Sequence, residues 1–205
     1  SCYVTSRELQ MLNLLLSQYR KTTILFLVLI LIAILEAFEV RTSIHGNTLP
    51  YFEWLKNSSW LGIIGTTYGS VYATVEAVHL ISMAIIGGTV LVADLRLLGI
   101  ILTDIPSETI TRGTHKVFRN ALIFAVASGI FCAAGVADKV YYMPVFWIKM
   151  LALIAGSCFV FLVKQPLLNT VPHDEIRPWT LRLLAVCSLL VWFTVAATGR
   201  WIGFS

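Results

Sequence analysis

The stretch from Val71 to Leu98, VYATVEAVHLISMAIIGGTVLVADLRLL, decides how the rest of the chain is interpreted. It is longer than the roughly 20 residues, at about 1.5 Å each, that cross the hydrocarbon core of a bilayer. Most of it is apolar, yet it holds a glutamate, a histidine, an aspartate and an arginine. Because ionisable side chains are costly inside a membrane, the stretch predicts a membrane-spanning helix that carries a functional site.

The composition of the whole chain agrees with a membrane protein. Of its 205 residues, 58% are hydrophobic and 13% are charged, and the mean hydropathy is +0.82. A soluble domain carries about 25% charged residues, so soluble enzymes and disordered tails are excluded. The net charge is +4, but the basic residues are scattered and form no stripe that would bind nucleic acid. We therefore expect residues 1–205 to form a single transmembrane domain whose surroundings are the lipid bilayer.

Five segments are long and apolar enough to span a bilayer, which predicts an all-α bundle of five transmembrane helices. Their approximate bounds are Thr22 to Val40, Val71 to Leu98, Lys116 to Val136, Phe146 to Val163 and Leu181 to Trp201. Between the first two spans, Tyr51 to Lys56 alternates aromatic and charged residues and predicts a short helix on the membrane surface. The glycine-rich stretch that starts at Trp60 predicts an irregular lead-in to the second span.

The distribution of Lys and Arg predicts the orientation of the bundle. With a cytoplasmic N-terminus, ten of the 15 basic residues lie inside, so the positive-inside rule favours N-in and C-out. The segment before Thr22 carries Arg7, Glu8, Arg20 and Lys21, unlike a cleaved export signal, so we expect the first span to stay in the mature protein.

The second span presents one polar face. Tyr72, Glu76, His79, Met83 and Gly87 follow at spacings of four, three, four and four, which places them on one side of a helix. His79 lies about 12 Å from the start of the span at the rise of an α-helix. A neutral imidazole is the commonest metal ligand, and a carboxylate often orients its other ring nitrogen. The face therefore predicts a haem or metal site with His79 as ligand and Glu76 as its orienting group.

Other helices contribute polar residues at the same level as His79. Lys149 and Arg200 are expected there, with Glu36 and Glu39 from the first span, and the two cations suit the propionates of a haem. His115 lies in the opposite half of the membrane from His79, so His79 and His115 do not make a pair of axial ligands. The second iron ligand stays open: His45, Met143, Lys149 and a vacant position are the alternatives.

Simpler interpretations stand beside these. His79 is equally a hydrogen-bonded packing residue, and Lys149 and Arg200 are typical of side chains that extend to the headgroups. For Asp94 and Arg96, an ion pair or a headgroup contact is the default. With Met83, Met143 and Met150, His79 also makes a soft-ligand set for Cu(I), which gives a copper-binding or copper-transport alternative. A third hypothesis is a structural subunit of a larger membrane complex.

The run from Glu76 to Gly99 resembles the signature helix of an uncharacterised family of bacterial inner-membrane proteins. In that family E-x-x-H is followed by a glycine and then by D-L-R-L-L-G, as in Glu76, His79, Gly87 and Asp94 to Gly99. The segments Phe146-Trp-Ile-Lys149 and Gly199-Arg200 also look like landmarks of the family. The resemblance covers about Tyr51 to Phe204 and implies a multi-pass protein of the bacterial inner membrane.

A helix with a histidine, a glycine and an arginine, followed later by W-x-K, is distantly similar to the copper-resistance D proteins. It is similar too to the membrane-bound protoporphyrinogen oxidase of bacteria, which binds haem b. These relatives imply a haem-ligand or metal-ligand role for His79 and a substrate or propionate role for Lys149. The leading hypothesis is a cytochrome b-like protein that passes electrons between a quinone and a periplasmic partner, alone, as an oligomer or within a complex. Whether it is an enzyme is left open; if it is, a membrane oxidoreductase is expected.

Overall fold

The computed structural model describes residues 41–204, with side chains from Thr48 onward. The chain divides into two compact units, residues 1–47 and 48–205, and the candidate site lies in the second. The first predicted span, Thr22 to Val40, lies outside the described residues, as do Glu36, Glu39 and the side chain of His45. The first of the five predicted spans and the N-in orientation therefore stay predictions.

The described part of the chain is helical and contains no β-strand. The elements in chain order are α1 (Arg41–Asn57), α2 (Trp60–Thr67), α3 (Gly69–Leu97), α4 (Ser107–Gly135), α5 (Ala137–Tyr141), α6 (Pro144–Cys158), a π-helical segment (Phe159–Lys164), α7 (Gln165–Thr170) and α8 (Pro178–Ile202). The π-helical segment joins α6 to α7, so that Pro144–Thr170 is one continuous span.

Four spans are long and apolar enough to cross a membrane: α3, α4, Pro144–Thr170 and α8. Their outward side chains are large and apolar; Leu80, Ile123 and Phe193 are all exposed. Such a continuous apolar surface is stable only against lipid, so the chain is a multi-pass membrane protein. Four of the five predicted spans are therefore present as helices. The third span begins earlier than predicted, at Ser107 rather than Lys116, because its first turns are polar and carry no apolar signal.

The segment before α3 differs from its prediction. The predicted surface helix from Tyr51 to Lys56 lies within the longer α1, and the stretch predicted to be irregular is the helix α2. The Oγ atom of Ser59 caps α2 by accepting a hydrogen bond from the backbone N–H of Gly62 at 3.1 Å. A Cβ on Gly62 would lie 2.2 Å from the carbonyl oxygen of Lys56. Glycine thus allows the two helices to meet closely here instead of breaking the second one.

The core is formed by side chains at helical spacing. Ser82, Ile86, Val90 and Asp94 follow at intervals of four and are buried on one face of α3. Ile86 and Val90 pack in one cluster with buried residues of α4 and α8, among them Phe118, Leu122, Ala125, Trp192 and Val195. Each neighbouring span runs in the opposite direction. One end of the bundle, called the His79 end, thus holds the starts of α3 and α6 and the ends of α4 and α8. The other, the Asp94 end, holds their opposite termini.

The π-helical segment has a cause in the sequence. Pro166 has no backbone N–H and cannot donate to the carbonyl one turn before it, which a widened turn accommodates. The predicted span ended at Val163, before a lysine and a proline. The helix instead continues to Thr170, and Lys164 lies buried inside the bundle.

Candidate functional site

His79 lies between α3 and α4, and one of its ring nitrogens is fixed by hydrogen bonds. Its Nδ1 atom lies 2.9 Å from the carbonyl oxygen of Ala125 and 3.1 Å from the Oγ atom of Ser128. A carbonyl oxygen only accepts, and the Ser128 hydroxyl already donates to the carbonyl of Phe124 at 2.6 Å. Both neighbours therefore accept, which assigns the proton of the imidazole to Nδ1. The Nε2 atom keeps its lone pair.

A glycine of α4 makes room for this ring. A Cβ on Gly129 would lie 3.0 Å from Cε1 and 3.4 Å from Nδ1 of His79, so the imidazole packs directly against the backbone of α4. Farther along α3, Cβ atoms on Gly87 and Gly88 would meet no atom within 4 Å. Of these two glycines, Gly87 lies on the same side of α3 as His79, two turns farther along, so the backbone is uncovered there.

Two of the predicted site residues carry charges that act on His79. Glu76 lies one turn earlier on α3 and is exposed, and Lys149 of α6 is half-buried. The charges of both act on the imidazole, and both also act on the thiol of Cys132 in α4. A Cβ on Gly199 would lie 3.5 Å from Nζ of Lys149, so this lysine packs against the backbone of α8. The fold thus gathers these groups from four spans at the His79 end.

The remaining predicted site residues are arranged differently. The group that orients His79 is the Ala125 carbonyl together with Ser128, and not the predicted Glu76. Arg200 is exposed near the end of α8, where its guanidinium carbon lies 4.3 Å from the centre of the Phe204 ring. Met143 is the residue immediately before α6, and Met83 packs against the hydrophobic core. Among the described residues, no three His, Cys, Asp or Glu side chains cluster to hold a metal ion.

A second polar site, which the sequence analysis did not find, lies at the Asp94 end. Asp94 is fully buried, and its Oδ1 atom accepts a hydrogen bond from Nζ of Lys164 in the π-helical segment. The same ammonium donates to Oγ of Ser188 in α8 at 3.2 Å. The sequence analysis gives an ion pair or a headgroup contact as the simplest interpretation of Asp94 and does not identify Lys164 as its partner. Lys164 had been placed beyond the end of its span.

The rest of the D-L-R-L-L-G run has structural tasks. Arg96 reaches into the loop after α3 and donates to the carbonyl of Ile105 through Nε at 2.9 Å and Nη2 at 2.8 Å. Gly99 has a φ of +76°, in the left-handed region that glycine adopts without strain. The N–H groups of Gly99 and Ile100 donate to the carbonyls of Arg96 and Leu95, which is a Schellman termination of α3. The run therefore ends a helix, anchors a loop and supplies half of an ion pair.

Comparison with known proteins gives a family without an activity. No curated protein matches the chain, and no solved structure matches it. A family model does match residues 51–205, the part that contains all four described spans and both polar sites. The chain therefore belongs to DUF6644, a family of unknown function.

Proposed function

We propose that the chain is a haem-b-binding membrane protein in which Nε2 of His79 would hold the iron. The observation that carries this proposal is the hydrogen bond from Nδ1 to the Ala125 carbonyl, which leaves Nε2 as the basic nitrogen. Histidine ligands of metals characteristically donate the other ring N–H to a carbonyl or carboxylate, which fixes the ring and raises its basicity.

Two cationic side chains at the His79 end suit the anionic propionates of a haem. The uncovered backbone at Gly87 would admit a planar group beside α3. Lys149 and Arg200 are candidates for pairing with the propionates, and no ion pair occupies either of them among the described residues. Met143 and Lys149 are the described candidates for a second ligand. When bound, haem b supplies one-electron chemistry at its iron.

The role that follows is electron transfer. We propose that the protein exchanges electrons between a quinone in the bilayer and a periplasmic partner, or acts as a membrane oxidoreductase. Its location would be the bacterial inner membrane, as an oligomer or as a subunit of a larger complex. The distant similarity of the histidine helix and of W-x-K to a haem-b-binding oxidase supports the same assignment. His79 then holds the cofactor, Ala125 and Ser128 orient its ring, and Lys149 sets the local charge.

Absorption spectroscopy of the detergent-purified protein tests this proposal. The wild type, purified from cells that make haem, should show a Soret band and, after dithionite reduction, α and β bands. His79→Ala should lose them, whereas His115→Ala, which removes the intramembrane histidine of the Asp94 end, should keep them. A colourless wild type, or equal loss in both variants, would refute the assignment.

The same sample separates the alternatives. Copper that copurifies without haem, and that is lost when Met83 or Met143 is replaced but kept in Lys149→Met, would establish the Cu(I) hypothesis instead. A colourless and metal-free protein that copurifies with another membrane protein would establish a structural subunit.

A further inference from the structure

A small cavity lies beside the ion pair at the Asp94 end, between α3, α4 and the π-helical segment. Its volume is about 30 Å³, and its polar lining consists of Thr89, Thr111, Thr114, His115, Lys164 and Gln165. A cavity of this size holds on the order of one or two water molecules, each of which needs two to four polar partners. The lining supplies hydroxyl, imidazole, amide and ammonium groups.

Lys164 has a hydrogen-bond donor that the protein leaves unused. An ammonium group carries three N–H donors. One goes to Asp94 and one to Ser188, and Lys164 makes no other hydrogen bond among the described residues. Since Lys164 also lines the cavity, a water oxygen there is placed to accept the third.

Asp94 has one carboxylate oxygen without a hydrogen-bond donor among the described residues. Its Oδ2 atom is buried and accepts no hydrogen bond from any described residue, although a carboxylate usually has all its oxygens satisfied inside a protein. Among the described residues the carboxylate charge is therefore compensated through Oδ1 alone. Around it, Lys164 comes from the π-helical segment and Ser188 from α8, and His115 of α4 is close enough for the charge of Lys164 to act on it.

We propose that water fills this cavity and makes the Asp94–Lys164 pair a proton-binding site inside the membrane, reached from the Asp94 end. Lys164 passes one proton along its hydrogen bond to Asp94 and takes one from a protonated water in the cavity. The products are a neutral Asp94 acid, the same Lys164 ammonium and a neutral water. The net charge of the pair rises from zero to +1, and the reverse steps release the proton.

Cysteine accessibility tests the water-filled cavity. Thr114→Cys places a thiol on the cavity wall, and Val117→Cys places one a turn later on α4, where the side chain is exposed toward lipid. Thiolates form in water and not in hydrocarbon, so hydrogen peroxide, which is little larger than a water molecule, should oxidise Thr114→Cys at least about tenfold faster. Peptide mass spectrometry resolves each site while the native cysteines remain. Equal rates, or the reverse order, would overturn the proposal; Gln165→Cys on the facing wall replaces Thr114→Cys if that variant does not fold.

Infrared difference spectroscopy between acidic and neutral pH tests the proton itself. The wild type should show the carbonyl band of a buried carboxylic acid, which Asp94→Asn abolishes and Glu76→Gln, at the His79 end, retains. If Asp94→Asn is poorly folded, the neutral pair Asp94→Asn with Lys164→Gln gives the same readout. A band that persists without the Asp94 carboxylate would overturn the proposal. Neither measurement involves His79 or haem, so each can fail independently of the proposed function.

Discussion

The two ends of the bundle hold their polar groups in opposite ways. At the His79 end a neutral imidazole is held by a backbone carbonyl and a hydroxyl, and Lys149 forms no ion pair with a described residue. At the Asp94 end two opposite charges are buried and bonded to each other. The first arrangement leaves an unprotonated ring nitrogen and a lysine without an ion pair among the described residues. In the second, the two opposite charges compensate each other.

The largest expected effect comes from breaking the buried pair. Lys164→Met leaves the Asp94 carboxylate buried without a counter-charge, which should lower the free energy of unfolding by about 3–5 kcal/mol. SDS titration in mixed micelles measures this quantity. Adding Asp94→Leu removes the stranded charge, so the double variant should be more stable than Lys164→Met alone.

Lys149→Met is the matched control at the His79 end. It removes a lysine that has no ion pair among the described residues, so it should cost under about 1 kcal/mol. A loss as large as that of Lys164→Met would contradict the distinction between the two ends.

The second effect concerns the packing of His79 against α4. Gly129→Ala puts a methyl group 3.0 Å from Cε1 of His79, and overpacking of this kind costs about 1–3 kcal/mol. It should also displace the imidazole and weaken any absorption that depends on it. Gly113→Ala, on the same helix but with open space at its Cβ position, should be neutral or stabilising by up to about 1 kcal/mol. Unfolding and the absorption spectrum of both variants check this, and similar behaviour of the two would contradict it.

The features that could be predicted from the sequence are those that depend on neighbouring residues: the spans and the helix face that holds His79. The apolar length of α3 and the spacing from Tyr72 to Gly87 sufficed to identify a span and the face that holds His79. The start of α4 was missed because Ser107 to His115 carries no apolar signal. The helix α2 was missed because its glycines resemble a loop until the carbonyls of Leu55 and Lys56, which occupy the missing Cβ space, are known.

Partners that are distant in the chain could not be predicted. Asp94 and Lys164 are 70 residues apart, and their contact depends on where the π-helical segment directs the lysine. The hydrogen-bond acceptors of His79 are similar: Ala125 is a backbone carbonyl, so its residue type carries no signal. A glutamate at a spacing of three was the visible candidate, but the packing of α3 on α4 placed Ser128 and Ala125 closer.

The third effect is a pH-sensitive contact at the Asp94 end, outside the spans. The buried His173 meets Oγ of Ser107 through Nδ1 at 2.7 Å, and its backbone N–H donates to Glu108. Burial lowers the pKa of His173 below its ordinary value of 6.5. The folded state thus favours the neutral ring, and stability is full above pH 6.5 and falls as the pH drops toward the folded-state pKa. The thermal midpoint should fall between about pH 7.5 and about pH 5.5, and less so in His173→Gln. An equal fall in both proteins would contradict this assignment.

The smallest effect is the corresponding surface contact at the His79 end. Lys56 of α1 bonds Asp138 of α5 at 2.5 Å, and this hydrogen bond lowers the pKa of Asp138 below its ordinary value of 3.8. Both side chains are partly exposed, so Lys56→Met should cost under about 1 kcal/mol and less at high salt. The contribution is present above pH 3.8 and lost as the pH falls through the lowered pKa. Between about pH 3.8 and about pH 6.5, acid should therefore weaken the His173 contact at the Asp94 end but not the Lys56–Asp138 contact at the His79 end. Hydrogen exchange at about pH 5.5 should therefore rise around Ser107 and His173 before it rises around Lys56 and Asp138, and the opposite order would contradict the comparison.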